Sequence, residues 1–379
     1  GGIIALKYLK HGSYHMQEVA AADGYVIDDV DDEGKARIHD FLVNDQGMVS
    51  TADEPMQAKL AIVVENMPKT MGTTATDGDS GTHEGQARSD MSIIDSVAYT
   101  GCIPGETYKV TGKLMGKSTG QPVLDAEGSE ITAEKEFAAE GFEGSIDIEF
   151  RFDGSGLAGA SLVAFESMFD AEGNIYMSHE DISDEGQTVN VVDIATKAHD
   201  AETGTNQGTV SEAATLVDEV SFEGLTPGNR YKLFTMLVDK ATGEPVGDVA
   251  GNPMVIETDF TPEAPDGTVE VVFALDTAEL AGKSLVFFEK LADDGDNVIA
   301  KHEDIGDEDQ TIELPEPDAP QTPVGKGYPK TGADAAKAAV AASAAVIVGC
   351  GAAGAAYAAA KRRKKAGEEV EEPTAEPAE

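Results

Sequence analysis

The sequence has no tryptophan, only two cysteines and few cations, and each shortage excludes something. Cys102 and Cys350 sit in very different settings and cannot build a disulfide framework, so a small disulfide-stapled scaffold is ruled out. Against 71 Asp and Glu stand 27 Lys and Arg, a formal charge of −44 over 379 residues. A field this negative argues against nucleic acid or an anionic membrane surface as the main partner. Disorder is excluded in turn, because 41% of the residues are hydrophobic, too many for an unfolded acidic chain. The chain opens Gly-Gly-Ile-Ile, with no Met and neither the basic nor the apolar region of a leader. It therefore reads as a fragment, and a missing signal peptide carries no information. What is plentiful is glycine, 41 residues, among many Thr, Val and Asp, the composition of turn-rich β structure. The length suggests two or three domains with ample chain for real cores.

One tract breaks the soluble picture. Ala338 to Ala360 is 23 residues without a charge, followed by Lys361-Arg362-Arg363-Lys364-Lys365. As a helix it would measure about 35 Å, enough to cross a bilayer core of roughly 30 Å, with the basic cluster at its cytoplasmic end. A buried Ala-rich helix is the other reading, but a soluble core helix has no reason to end in five consecutive cations. The rest of the chain is then expected outside the cell.

The chain carries an internal repeat. Thr73-Thr-Ala-Thr-Asp77 returns as Thr196-Lys-Ala-His-Asp200, and Asp95-Ser-Val-Ala-Tyr-Thr-Gly101 as Asp218-Glu-Val-Ser-Phe-Glu-Gly224. Val163-Ala-Phe-Glu166 returns as Val286-Phe-Phe-Glu289, and His179 to Gln187 as His302 to Gln310. Every offset is 123, which excludes chance and any net insertion. Within each copy, runs such as Tyr108 to Leu114 and Ser145 to Phe152 alternate apolar with polar, the period of a half-buried strand. Turn residues punctuate the runs about every ten residues, as in a sandwich of short antiparallel strands. Residues 67–190 and 191–313 are thus expected to be tandem β-sandwiches, with a Pro-rich linker at 314–327.

The polar residues that recur form a set. Each copy offers a hydroxyl (Thr73, Thr196), a carboxyl (Glu166, Glu289) and a run His-Glu-Asp-Ile-x-Asp-x-x-Gln-Thr at 179–188 and 302–311. The step from Thr to Gln is 114 residues in both. First and last strands of a sandwich commonly pair, so Thr and Gln could face one another across the ladder. A hydroxyl, an imidazole, carboxyls and an amide supply a nucleophile, a base, an orienter and an electrophile. Thr Oγ could attack the Gln Cδ while His takes the proton and a carboxyl pair sharing a proton polarises the amide. Ammonia would leave and an ester would join the two ends of the domain, in a dry site walled by Phe165 or Phe288. A secreted hydrolase using Thr, His and Asp in each copy is the rival, but it does not explain why a Gln tracks the His, and no G-x-S-x-G elbow is present. A Ca²⁺ site at Asp304 and Asp307 lacks the D-x-D-x-D-G order. Neither a metal nor a cofactor is expected.

At these residues the copies resemble the VaFE repeats, or T-Q-Ed domains, of Gram-positive surface-anchored proteins: Val163-Ala164-Phe165-Glu166 spells the first name, and the Thr, Gln and Glu/Asp pattern the second. The resemblance covers about 67–313 and implies ester bonds from Thr73 to Gln187 and from Thr196 to Gln310. It also implies His179 and His302 as bases, with Glu166, Asp184, Glu289 and Asp307 as acidic helpers, a role that Asp181 and Asp304 could share.

Residues 1–66 add a partial domain. Tyr14-His-Met-Gln-Glu18 with Gly24-Tyr25 resembles the signature of Cna B-type, prealbumin-like domains. The alternation of Tyr14, Met16 and Glu18 places Glu18 inward, fitting a proton shuttle for a Lys–Asn isopeptide bond. Val63-Val-Glu-Asn66 resembles the closing strand that supplies Asn66, with the Lys strand expected upstream of residue 1. Near the other end, Tyr328-Pro-Lys-Thr-Gly332 resembles the L-P-x-T-G sortase signal, with Tyr in place of Leu. The apolar span 338–360 and the basic, then acidic, tail 361–379 follow it. That resemblance implies cleavage between Thr331 and Gly332 and transfer of Thr331 to peptidoglycan. The sequence is therefore read as an all-β chain of tandem immunoglobulin-like and prealbumin-like sandwiches followed by a transmembrane helix. It would be a cell-wall-anchored adhesin or pilus-like stalk whose head, outside this stretch, would meet any host ligand.

Overall fold

A computed structural model describes residues 4–31, 34–248, 250–316 and 346–349. The expected all-β architecture holds: among the described residues every regular element is a strand, apart from two single 3₁₀ turns, Glu185–Gln187 and Ala278–Leu280. Among the described residues no helix is long and apolar enough to cross a membrane. The sortase-like signal and the basic tail lie outside the described residues. So does the predicted span, except for Val346–Gly349, which form a strand antiparallel to Gly267–Leu275.

Each repeat is built from two facing sheets. In the first repeat Met91–Thr100 is central to one sheet, between Glu143–Phe152 and Thr70–Asp77. Its alternation sends Ile93, Val97 and Tyr99 inward, against Ile148 and Phe150 of its neighbour. The opposite sheet runs Thr132–Ala138, Thr107–Gly116, Ser161–Phe169. Beyond that last strand lie Ile175–His179 along one half and the start of Thr188–Asp200 along the other. Leu114, Leu162 and Met168 face the first sheet from this side, and Cys102 lies fully buried among them, as its repeat mate Leu225 does in the second core. Burying one such large side chain contributes about 1.5–3 kcal/mol. The second repeat has the same plan, with Ala214–Glu223 and Gly267–Leu275 in one sheet and Val255–Phe260, Tyr231–Asp239, Ser284–Asp293, Val298–His302 and Thr311–Glu313 in the other.

No linker separates the repeats. Thr188–Asp200 is one strand of 13 residues. Thr188 to Asn190 pair with Ser161–Val163 of the first repeat, and Asp193 to Asp200 pair with Ala214–Glu223 of the second. The expected division at 190/191 therefore falls inside a continuous strand. Upstream, Gly12–Gln17, Ile38–Val43 and Val49–Ser50 form a small sheet, and Tyr25–Ile27 pairs with Asn66–Pro68. Its core is thin: Val26, Phe41 and Val43 are buried, Tyr14 stacks on Phe41 at 5.3 Å, and Ile4, Leu6, Val19 and Val63 stay exposed.

Candidate functional site

The alternation that buries Leu162, Ala164 and Met168 also buries Glu166, and the alternation that buries Ile93 and Val97 buries Asp95. One carboxyl comes from each sheet, and they meet in the core with 0% exposure each. Neither Asp95 oxygen is engaged by a well-directed N–H or hydroxyl; the group facing it is the Glu166 carboxyl. Two carboxylates in that position cannot both be ionised, so a proton lies between them. Burial first, and the Asp95 charge second, hold the Glu166 carboxyl far above the usual range, whereas Asp95 is raised by burial and partly relieved by its bond to Glu166. The pair as a whole therefore holds one proton. The second repeat reproduces the pair with Asp218 and Glu289, again 0% exposed and again raised by burial first.

The amide and the hydroxyl meet at this pair. Gln187 closes the turn Glu185–Gln187, whose first N–H groups are capped when Gly186 donates to Asp184 Oδ1 at 2.8 Å. The turn points the Gln side chain into the core, where Nε2 donates to Glu166 Oε2 at 2.5 Å and Oε1 has no partner among the described residues. Thr73 Oγ1 is buried without a well-directed hydrogen bond, within reach of the same Glu166 carboxyl. In the second repeat Gln310 Nε2 donates to Glu289 at 2.7 Å, and Thr196 Oγ1, equally unsatisfied, faces Asp218. A buried hydroxyl and a buried amide oxygen left unbonded are each costly.

Thr and Gln do not face one another across a ladder, as expected from first and last strands. The Thr strands pair with Met91–Thr100 and Ala214–Glu223, while the strands after the Gln pair into the opposite sheet, at Ser161–Val163 and Ser284–Val286. It is the turn before the last strand that lies along the open edge of the Thr strand, where Ala198 N–H donates to Asp309 O at 2.8 Å.

His179 stands opposite Glu166 in the ladder, and His302 opposite Glu289. Each ring faces two acceptors. His179 has Met71 O at 3.1 Å on Nδ1 and Asp184 Oδ2 at 3.1 Å on Nε2; His302 has Ile194 O at 3.2 Å and Asp307 Oδ2 at 3.1 Å. Neither ring hydrogen-bonds a Thr hydroxyl. Asp184 and Asp307 thus hold both the ring and the Gln turn. Asp181 and Asp304 are not brought in: they are exposed and cap their own loops through Ser183 and Gly306. Phe165 and Phe288 do not wall the site either. Each precedes an inward Glu on a strand and so points to the opposite face, where Lys113 lies 5.9 Å from the Phe165 ring.

Asp95 and Asp218 are the functional residues that sequence reasoning missed. The signal was present: each recurs at the repeat offset and sits in the apolar phase of an alternating strand. The copies differ opposite the Glu: Glu289 faces Thr235, whose buried hydroxyl has no partner among the described residues, whereas Glu166 faces Gly112.

In the upstream sheet Asn66 Nδ2 donates to Glu18 Oε1 at 2.8 Å, so the two residues singled out there are brought together. Glu18 Oε2 and Asn66 Oδ1 are buried with no partner among the described residues. Thr331 and Gly332 lie outside the described residues.

A family model described as "T-Q ester bond containing domain" matches twice, at residues 69–191 and 192–314. No curated protein matches the chain. Among solved structures the chain is similar to a bacterial adhesin from Mobiluncus mulieris containing intramolecular disulfide, isopeptide and ester bond cross-links. The identity is 14%, with 54% of this chain and 79% of that one covered and a TM-score of 0.26. A second crystal form of that adhesin gives 15%, 58%, 79% and 0.25. The C-terminal domain of an antigen I/II-family protein of Streptococcus pyogenes gives 10% identity, 61% and 97% coverage, and a TM-score of 0.27.

Proposed function

Because the chain belongs to the family of T-Q ester bond containing domains, we propose that each repeat closes an ester on itself, Thr73 to Gln187 and Thr196 to Gln310. The observation that carries this reading is the carboxyl pair adjoining both the Thr hydroxyl and the Gln amide in both copies. A half-turn of the Gln amide brings its oxygen to the protonated Glu, which can then donate to it and sharpen the electrophile. Thr Oγ1 attacks Cδ. The hydroxyl proton passes to the carboxyl pair as the pair's own proton goes to the amide oxygen, so the pair both gives and takes. As the tetrahedral intermediate collapses, the proton now on the carboxyl pair goes to the amide nitrogen and the intermediate's hydroxyl returns its proton to the pair, so that the carbonyl is restored, the C–N bond breaks and ammonia leaves. One hydroxyl and one amide become one ester and one ammonia, and escape of ammonia makes the step one-way.

With Thr196, Asp218, Glu289 and Gln310 all at 0% exposure, an external substrate has no place to bind, which favours a single self-modification over turnover. The test is intact mass. The wild-type chain should weigh less than its sequence by two ammonias and Thr196→Ala by one; a wild type at full sequence mass sinks the reading.

The chain as a whole is proposed to be a stretch of a cell-surface, adhesin-like or pilus-like stalk, secreted and then joined by a sortase to peptidoglycan through Thr331 after cleavage before Gly332. The Glu18–Asn66 pair is proposed to take a Lys Nζ and form an isopeptide bond, since its two unpartnered oxygens await a donor. Thr331→Ala should move the protein from the wall to the membrane fraction, and wall attachment that survives the change removes Thr331 from the scheme.

A further inference from the structure

We propose that Gln86, in the first repeat, is a positioning residue for the reaction of the second repeat; the inference rests on the ester reading above. His302 ends Val298–His302, a five-residue strand at the edge of its sheet that among the described strands pairs only with Ser284–Asp293. A short edge strand with one partner is free to fray. Its open side is closed from the other repeat. Gln86 Nε2 donates to Lys301 O at 2.7 Å, and Lys301 N–H donates to Gln86 Oε1 at 3.2 Å. The side-chain amide thus uses both of its faces on the peptide next to His302, as a neighbouring strand would.

Gln86 is itself fixed. Glu84–Gln86 pairs in parallel with Asn190 to Val192, on the strand that continues to Thr196. Glu84, 6% exposed, locks this segment to the second repeat: its Oε1 accepts from Thr226 N–H at 3.1 Å, Thr226 Oγ1 at 2.6 Å and Tyr231 Oη at 2.6 Å. The nucleophile's strand and the histidine's strand are therefore both set by one three-residue segment of the preceding repeat.

The device belongs to the junction and not to the repeat. The counterpart of Gln86 is Thr209, whose N–H and hydroxyl are spent on Asp200 at 2.8 and 3.2 Å. The counterpart of Lys301 is Ser178, which among the described residues has no side-chain clamp of this kind. The first repeat must therefore fold and dock before the second completes its site, and the two esters should form in N-to-C order.

The test follows ammonia loss from each repeat in the full chain after refolding, by peptide mass against time, with the first repeat as internal control. Gln86→Met keeps the size and removes both hydrogen bonds; it should slow the second repeat roughly tenfold or more and leave the first unchanged. Gln86→Glu offers the same donor and acceptor only when protonated. Its second-to-first rate ratio should therefore recover as pH falls through the ordinary carboxyl range near about 4, a response that loose packing alone would not give. An unchanged second-repeat rate in Gln86→Met, or equal slowing of both repeats, overturns the proposal. A wild type that loses no ammonia overturns the ester reading itself.

Discussion

Asp95 and Asp218 occupy positions where strands of this kind place valine or isoleucine, between Ile93 and Val97 in one copy and Leu216 and Val220 in the other. Burying a carboxyl there costs stability unless a proton and a partner come with it, so its presence in both copies points to chemistry and not to packing. Asp218→Asn should abolish ammonia loss in the second repeat alone, so that intact mass shows one loss; two losses would remove Asp218 from the reaction. The pair also sets a pH dependence, best read in a Thr73→Ala/Thr196→Ala chain that closes neither bond. Burial, and then the neighbouring Asp, hold Glu166 and Glu289 above the ordinary value of 4.5. Above that pH the native state keeps protons that the unfolded chain releases, so its stability is fully present at lower pH and is lost as pH rises. The melting temperature of that chain should fall between about pH 5 and 9, and adding Glu166→Gln and Glu289→Gln should flatten the curve. A melting temperature that climbs over the same range reverses the assignment. The Thr, His, Glu and Gln were legible because their order and spacing are unusual. The Asp was not, because one acidic residue in an alternating strand of so acidic a chain looks like a solvated face until its phase is checked.

Strands follow the alternation closely enough that Thr107–Gly116 and Glu143–Phe152 were legible from pattern alone. The joint between repeats was not. A repeat period marks where two copies match and is silent on whether the backbone turns between them, and Thr188–Asp200 runs on because its second half pairs into the next sheet. The glycine ending Asp218 to Gly224 belongs to this joint. Gly224 has φ +80°, and a Cβ there would meet Val191 O at 2.4 Å. Its mate Gly101, at φ +86°, would meet Pro68 O at 2.8 Å, so the same close approach is used where each repeat receives the chain before it. Gly224→Ala should therefore destabilise the second repeat by about 1–3 kcal/mol through backbone strain and the clash. Thermal unfolding of the Thr73→Ala/Thr196→Ala background measures it without the cross-links masking the loss, and an unchanged midpoint would show that the joint gives way without cost.

With the two proposed esters closed, tension along the repeats would meet the cross-links before it meets the sandwiches. Entering at Thr73, it would pass through the first ester to Gln187, run along the chain to Thr196, and cross the second ester to Gln310. Between the two bonds only residues 188–195 carry it, and these already lie in one extended strand. The 114-residue steps from Thr to Gln are left out of the path in both repeats. The shared strand fits this path, because a flexible linker there would be an extensible piece between two closed loops. Loss of one bond should then show both in equilibrium and under force. On the chain-entropy estimate, opening a loop of this size removes about 5 kcal/mol from the second repeat in Thr196→Ala. Pulled from its ends, the wild-type chain should give no lengthening step from either repeat. Thr196→Ala should give one step of about 390 Å of contour, at about 3.4 Å per residue and less the folded end separation. Two such steps in the wild type would mean that neither bond is closed; no step in the variant would mean that the strands alone, and not the ester, withstand the force.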